Sequence, residues 1–332
     1  MISSMFPRTF LFLLFTVAAV AQTKTATEPL NLVMPTGAGR IVLPSIPDFV
    51  PESVTVYDDG QRPVVKFVNK KTNVIVSYIL FHNLSGNPTA QGCSDDAMRP
   101  IIRELGPAIS KLIQSPAANK SDFSPVVTSY FIDSIQGIKI QQQNVYGFLG
   151  DAKTCAEMHI SKATYAAADA ALLTAALTTF QADLSYTPLA KDYFRIATIL
   201  FKNAPETAAP YYSSALAAIP VNPSTLQIRR ITTDQLAMSL GRSGKLQQSH
   251  TLLESAIAGD PDYPLNYYNL ACADAEQGNA ASAKLNLQLA YDHRANMLPG
   301  EAFPDPAKDD SFLKLKKNKA FWDFVQSIST AK

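Results

Sequence analysis

Three places in the chain hold residue types at spacings that chemistry can use. Ser239–Lys245 reads SLGRSGK, whose glycine–lysine pair invites comparison with a phosphate-cradling loop. Cys155, Glu157 and His159 alternate along a strand-like run, so their side chains share one face and offer a thiol, a carboxylate and an imidazole, the ligand types of zinc. A free, activated thiol among Cys93, Cys155 and Cys272 would be a nucleophile if a histidine stood beside it.

Each reading meets an obstacle within the sequence. A phosphate loop needs glycine where Ser239 stands and Ser or Thr where Leu246 stands, and it follows a strand, whereas this stretch follows a helical run. Ser239–Lys245 therefore reads as a turn between helices. No second ligand pair with metal spacing accompanies Cys155, Glu157 and His159, so we expect neither a metal nor another cofactor. No Gly-x-Ser-x-Gly elbow, His-Glu-x-x-His helix or glycine-rich dinucleotide loop occurs in the 332 residues.

The start of the chain has the three parts of a secretory signal peptide. Arg8 precedes the apolar run Phe10–Val20, and Ala19-Val20-Ala21 supplies small residues before Gln22. The run is short of the roughly 20 residues needed to span a bilayer. We expect cleavage after Ala21 (residues 1–21), with a retained membrane anchor as the competing reading. No later segment is long and apolar enough to span, so the mature protein is expected to be exported, periplasmic or secreted. Cleavage removes one basic residue, taking Lys+Arg from 29 to 28, equal to the 28 Asp+Glu. That balance gives no basic footprint for nucleic acid.

In an oxidising compartment cysteines pair. Cys93 and Cys155 both lie by glycine-containing turns, while Cys272 lies in a helical run. We expect a Cys93–Cys155 disulfide and a free, buried Cys272, although spacing alone does not fix connectivity.

The C-terminal half repeats. Shifted by 34 residues, Leu236-Ala237 falls on Leu270-Ala271, Gly244 on Gly278, Ser249 on Ala283, Leu253 on Leu287 and Ala256 on Ala290. A looser copy, with Ala208, Tyr212, Ala215-Leu216 and Pro220, precedes them after an insertion around Val221–Ser224. Thirty-four residues is the period of a helix–turn–helix solenoid unit. These residues resemble the tetratricopeptide repeat (TPR) family from Leu189 to about Ala295. The resemblance implies antiparallel helix pairs meeting through small residues, with glycine closing the turn. It also implies that the first helix of each pair lines a concave groove for a protein or peptide partner. Transferred to this chain, the groove residues are Tyr193, Phe201, Asp234, Met238, Arg242, Tyr268 and Glu276. A spacer and capping helices follow in residues 298–332, the last over Lys319–Ser329.

Residues 39–186 read as α+β. Four Val/Ile-rich runs from Gly39 to Asn83 are strands, Ser94–Gln114 is a helix, three more strands run to Tyr165, and Ala166–Leu184 is an alanine-rich helix. This order implies a mainly antiparallel sheet with helices over its faces. The order and the opening residues Gly39–Pro44 are similar to the PsbP-like family of α/β/α domains, a resemblance that carries no catalytic residues with it. Residues 22–38 read as a flexible lead-in, and residues 187–297 as the solenoid. The functional expectation is a non-enzymatic adaptor. The competing reading is an enzyme or metal-dependent hydrolase in the sheet domain, with the repeats recruiting substrate.

Overall fold

The computed structural model describes residues 29–44, 48–57, 61–115 and 125–330. The signal-peptide reading of residues 1–21 lies outside them. The chain forms two compact units, Pro29–Gly259 and, among the described residues, Asp260 onward.

In the first unit the expected Val/Ile runs are strands. β1 (Leu30–Leu32) and β2 (Arg40–Leu43) lead into β3 (Phe49–Tyr57), β4 (Arg62–Asn69) and β5 (Val74–His82). The Asn-Lys-Lys break turns the chain because the Asn69 side chain accepts from the Lys71 and Thr72 N–H groups, while Asn73 takes a left-handed φ of 57°. After α1 (Ala90–Leu105) come β6 (Ile109–Ser115), β7 (Val126–Ile135), β8 (Ile138–Gly150) and β9 (Thr154–Lys162). β3 to β9 make one antiparallel sheet of seven strands in the order β3-β4-β5-β9-β8-β7-β6. The short helix α2 (Ala170–Leu177) and the two-residue strand β10 (Ala182–Asp183) follow. β10 pairs with β2, which also pairs with β1, giving a second, three-stranded sheet.

Two expected helices are shorter than the sequence suggested. The helix expected over Ser94–Gln114 begins earlier, where the Thr89 hydroxyl caps the Gly92 N–H, and ends at Leu105. The backbone leaves the α-helix at Leu105 (φ −106°, ψ 0°) and passes into a single 3-10 turn, Gly106–Ala108, in which Pro107 has no N–H to continue the helical ladder, and the remainder is the edge strand β6. The helix expected over Ala166–Leu184 is helical only at its centre. The Thr178 and Thr179 hydroxyls bond the carbonyls of Ala175 and Ala176, an alternative to continuing the helix. The chain then gains ladder bonds with β2.

Each face of the large sheet has its own cover. On one face α1 closes over Phe148, Tyr146, Val126 and Ile132, and the Cys93–Cys155 disulfide ties α1 to β9 with its Cα atoms 5.7 Å apart. Gly150 lies directly under the bond, and a Cβ there would overlap Cys93 Sγ. On the other face Val76, Tyr78, Leu80, Met158 and Ile160 meet α2, the small sheet and the helices that follow.

Those helices are α3 (Ala190–Phe201), α4 (Pro205–Ala218), α5 (Leu226–Arg242) and α6 (Leu246–Gly259), each packed on the next. Three-residue links at α3–α4 and α5–α6 force these pairs antiparallel. Gly244 is left-handed (φ 73°), and Lys245 N–H returns to Leu240 O at 2.9 Å, so SLGRSGK does turn a corner.

The lead-in expected to be flexible over residues 22–38 is, in its described part, built into the fold. Leu32, Val33 and Met34 are buried against α3 and α4. The Tyr211 hydroxyl donates to Val33 O and the Ser214 hydroxyl to Pro35 O. Asp192, at the first turn of α3, accepts from Asn31 Nδ2 (2.8 Å), the Tyr186 hydroxyl (2.7 Å) and the Leu189 N–H (2.9 Å). Sheet and helices thus share one core, and the boundary expected between residues 186 and 187 runs through a single compact unit.

In the second unit α7 (Pro264–Glu276) and α8 (Ala280–Asp292) form another hairpin. Gly278 (φ 83°) and the Asn279 N–H bond to Asp274 O repeat the turn of the first unit. The short helix α9 (Asp310–Leu313) and α10 (Lys319–Thr330) complete it, with Phe312, Phe321 and Val325 buried. Among the described residues no helix is long and apolar enough to cross a membrane.

Two outcomes test this architecture. Burial opposes charge on Asp192, but its hydrogen bonds from Tyr186, Leu189 and Asn31 outweigh that and hold its pKa below the ordinary value. Its contribution is therefore present above the ordinary aspartate pKa and is lost as pH falls through the lowered one. Asp192→Ala should destabilise the first unit by about 3 kcal/mol at pH 7 in denaturant unfolding, with the gap narrowing in acid. Alkylation of denatured, unreduced protein should label one cysteine, Cys272. Native labelling there should be slow, because burial and the nearby Asp309 push its thiol pKa well up.

Candidate functional site

The seven residues expected to line a groove do not form one surface. Tyr193 points into the common core, 8% exposed, because α3 turns that face toward the lead-in and the sheet. Asp234 is buried at 9% exposure and belongs to the packing of α5. Phe201 and Arg242 do come together, with Met238 one turn before Arg242 on α5, beside residues the repeat pattern did not single out.

These form the face shared by α3 and α5. Its floor is Tyr212, which reaches up from α4 and is 1% exposed. Phe194 and Phe201 stand edge-on to the Tyr212 ring at 5.5 and 6.2 Å, and the Tyr212 hydroxyl reaches Thr198 Oγ1 at 3.4 Å and Gln235 Oε1 at 3.5 Å. Burial raises the pKa of that hydroxyl to about 12, so it stays protonated and donates. The other wall is a single helical stripe of α5: Ile228, Gln235, Met238 and Arg242, spaced by seven, three and four residues. Arg242 closes one end. Its guanidinium lies 4.8 Å from the Phe201 ring centroid and bonds the Phe201 and Lys202 carbonyls at the end of α3. At the other end opens a cleft of 370 Å³ lined by Ala190, Lys191, Phe194, Arg195, Ile219 and Ile228, among others. Ile228 is 39% exposed, and Leu189 and Val221, on the segments leading to α3 and α5, are 50% and 84% exposed.

Phe194, Thr198, Ile228 and Gln235 were legible in principle. They continue the spacing of Phe201 and Met238 along each helix, and extending that stripe upstream reaches them.

The corresponding stripe of α7 is occupied. Tyr268, 3% exposed, donates its hydroxyl to Asp309 Oδ2 at 3.0 Å and meets Phe303 and Phe312 edge-on. The Cys272 thiol faces the same Asp309 oxygen at 3.8 Å, and Glu276 is paired with Lys314. Tyr268 and Glu276 are therefore held by the chain's own C-terminal segment, which lies along the face that the repeat reading had left open. Cys272, expected to be free and buried, is free and half-buried at this contact.

The second candidate is the sheet face under α1. Cys155, Glu157 and His159 share that face, as their alternation requires, but they do not act together as ligands. Cys155 is in the disulfide. His159 Nε2 donates to Asn144 Oδ1 at 3.1 Å, and its ring stacks on Tyr146 with centroids 4.1 Å apart. The Tyr146 and Tyr130 hydroxyls bond each other at 3.2 Å. Among the described residues no three His, Cys, Asp or Glu side chains are grouped to hold a metal. Glu157 is 4% exposed. Burial pushes its pKa up to about 7 against the opposing pull of Arg62, while burial takes the His159 pKa down to about 4. The arrangement is a carboxyl able to exchange protons near neutrality beside an imidazole that stays neutral.

No protein-family model matches the chain, and no curated protein matches it.

Opposed titrations should be measurable. Glu157, with a raised pKa, contributes most below pH 4.5 and loses its contribution as pH rises to about 7. His159, with a lowered pKa, contributes most above pH 6.5 and loses it as pH falls to about 4. Each amounts to about 3 kcal/mol, so they nearly cancel between pH 4.5 and 6.5. Denaturant unfolding of Glu157→Gln should show stability rising with pH across that window, and His159→Gln should show it falling. Matching profiles in both variants and the parent would exclude this account.

Proposed function

We propose that this chain is an exported, non-enzymatic adaptor that binds a peptide or helix of an envelope or secreted partner on the α3–α5 face, carried by TPR-like helix pairs. The observation that carries the reading is the face itself: two phenylalanines edge-on to a buried tyrosine, a partly exposed α5 stripe that includes Met238, and an apolar cleft beside them. Aromatic side chains with few rotamers bury area at low entropic cost, and a flexible methionine adapts to the shape laid on it, which suits a peptide or an amphipathic helix.

The TPR-like reading draws support from burial at the 34-residue period. Leu236 and Leu270, Ala237 and Ala271, Ser249 and Ala283, and Leu253 and Leu287 are buried in pairs, and Gly244 and Gly278 share a left-handed turn. Export draws support from the signal-peptide pattern of residues 1–21 and from the Cys93–Cys155 bond, which persists in an oxidising compartment. The bonded Cys155 and neutral His159 weigh against a thiol or metal hydrolase in the sheet domain.

The groove face used for testing excludes Tyr268, since a charge there would break the packing around Phe312. Immobilised full chain is compared with Ile228→Glu/Met238→Glu for capture from an extract of the source cells. A partner retained by the parent and lost by the double variant, with equal helicity by circular dichroism, is the expected outcome. Equal capture by both would remove the α3–α5 face as the functional surface.

A further inference from the structure

One half of a sheet face in the first unit lies outside both of its cores. The face that carries Cys155, Glu157 and His159 continues by register onto β5, β4 and β3: Ile79 stands opposite Glu157, Val64 opposite Ile79 and Thr55 opposite Val64. Helix α1 packs on β8, β7 and β9, and the Cys93–Cys155 bond ties it there. Beyond it Val64, Val68, Ile75 and Ile79 are half-buried. They are packed neither into the core under α1 nor into the one shared with the later helices.

The composition of β5 is that of a covered strand. An antiparallel strand with one solvated face alternates apolar and polar residues, whereas a strand covered on both sides reads as a continuous apolar run. From Val74 to Phe81 β5 reads VIVSYILF, broken only by Ser77. Val74, Val76, Tyr78 and Leu80 fill the core on one side, and Ile75 and Ile79 give the other side the same chemistry. The cations on this shelf are engaged within the chain. Lys66 pairs with Glu52 at 2.6 Å, and the Arg62 guanidinium lies 4.5 Å from the Phe81 ring centroid. The shelf therefore offers a partner apolar surface rather than charge.

Its dimensions select the occupant. Three strands about 4.8 Å apart and about eight residues long present roughly 370 Å². That is about half of the ~800 Å² each side gives to a stable protein interface, so two copies laid shelf to shelf fall short. One helix fits. Neighbouring helices pack about 8–10 Å apart, which is two strand spacings, so a helix beside α1 lies over β5. It also gains the exposed flank of α1 at Pro100, seven residues on from Cys93 and on the same side of the helix.

We infer that this shelf takes an amphipathic helix of a partner protein, laid beside α1 with its apolar stripe on Val64, Ile75 and Ile79. The surface is on the opposite side of the sheet from the helices that carry the α3–α5 face, and it stands whether or not that face binds.

The test is selection from phage-displayed random peptides of 16 residues, the length of α1. The bait is immobilised Ile228→Glu/Met238→Glu chain, so that the α3–α5 face does not compete. Enriched peptides are synthesised with a fluorescent label, and their binding to the parent chain is followed by anisotropy. They should carry large apolar residues at spacings of three and four and become helical on binding by circular dichroism. Affinity should fall about tenfold in Thr55→Arg/Val64→Lys and change less than about twofold between low and high salt. Circular dichroism of the variant checks its fold, and Thr55→Arg alone serves if the double variant does not fold. Apolar residues at alternate positions, bound without helix formation, would assign the binding to a strand edge and overturn the helix. A large loss of affinity with salt would overturn the apolar account. Equal affinity for the shelf variant, or no enrichment over blank support, would overturn the shelf without bearing on the α3–α5 face.

Discussion

The carboxylate of Asp192 is the point at which strand and helix become one body. It sits on the first turn of α3, receives the backbone N–H of Leu189 as a capping group, and receives two side chains from elsewhere, Asn31 on β1 and Tyr186 ahead of the helix. A buried charge is tolerated only when its lone pairs are filled, so these partners must hold their positions together. With β1 fixed, Leu32, Val33 and Met34 are delivered between α3–α4 and the sheet, and the core continues from Tyr78 and Met158 through to Tyr211 and Tyr212. Tyr212 is in turn the floor of the α3–α5 face. The floor of the candidate site thus belongs to the same core that is anchored at Asp192, 20 residues before Tyr212 in the chain.

The opposite face of the sheet solves a different problem. It buries a carboxyl, an imidazole and two phenols beside a disulfide, with stacked rings doing the packing that aliphatic side chains do elsewhere. Glu157 and His159 respond to the same cause, loss of water, in opposite directions, because burial favours the neutral form of each. Near pH 7 His159 is neutral and Glu157 is the group whose charge is contested.

Strands were legible where alternation met a turn with its own chemistry, as at Asn69–Asn73, and the Cys93–Cys155 bond was anticipated from turn context and an expected oxidising compartment, its connectivity being fixed only by the fold. The helical hairpins were legible because a 34-residue period constrains small and large residues at once. What escaped was non-local. Nothing within Ile109–Ser115 marks it as an edge strand, since its pairing with β7 comes from residues well downstream, from Ser115↔Val127 to Ile109↔Ile132. Residues 29–38 look like a linker because the hydroxyls that secure Val33 and Pro35, on Tyr211 and Ser214, lie 178 and 179 residues away. Phe194 and Ile228 escaped for a simpler reason: the repeat comparison weighted positions that recur, and these do not.

A repeat specifies which side of a helix a residue faces, and it is silent on whether that side is filled. The α5 and α7 stripes illustrate the difference. Both are first helices of a hairpin with the same glycine-closed turn, and both present residues at equivalent positions. On α7, Tyr268 and Glu276 meet Asp309 and Lys314, 41 and 38 residues downstream. On α5 the residues engaged at the same positions come from α3 and α4, immediately upstream, and they leave Met238 and Ile228 partly exposed. The filling of α7 also explains its composition. On α7 a thiol and a phenol face one carboxylate in an internal contact, whereas a thioether and an isoleucine edge tolerate many shapes. The departures of α5 from α7 at positions 238 and 242, a thioether for a thiol and a guanidinium for a carboxylate, therefore accompany the difference between a stripe filled by the chain's own downstream segment and one that is left partly exposed.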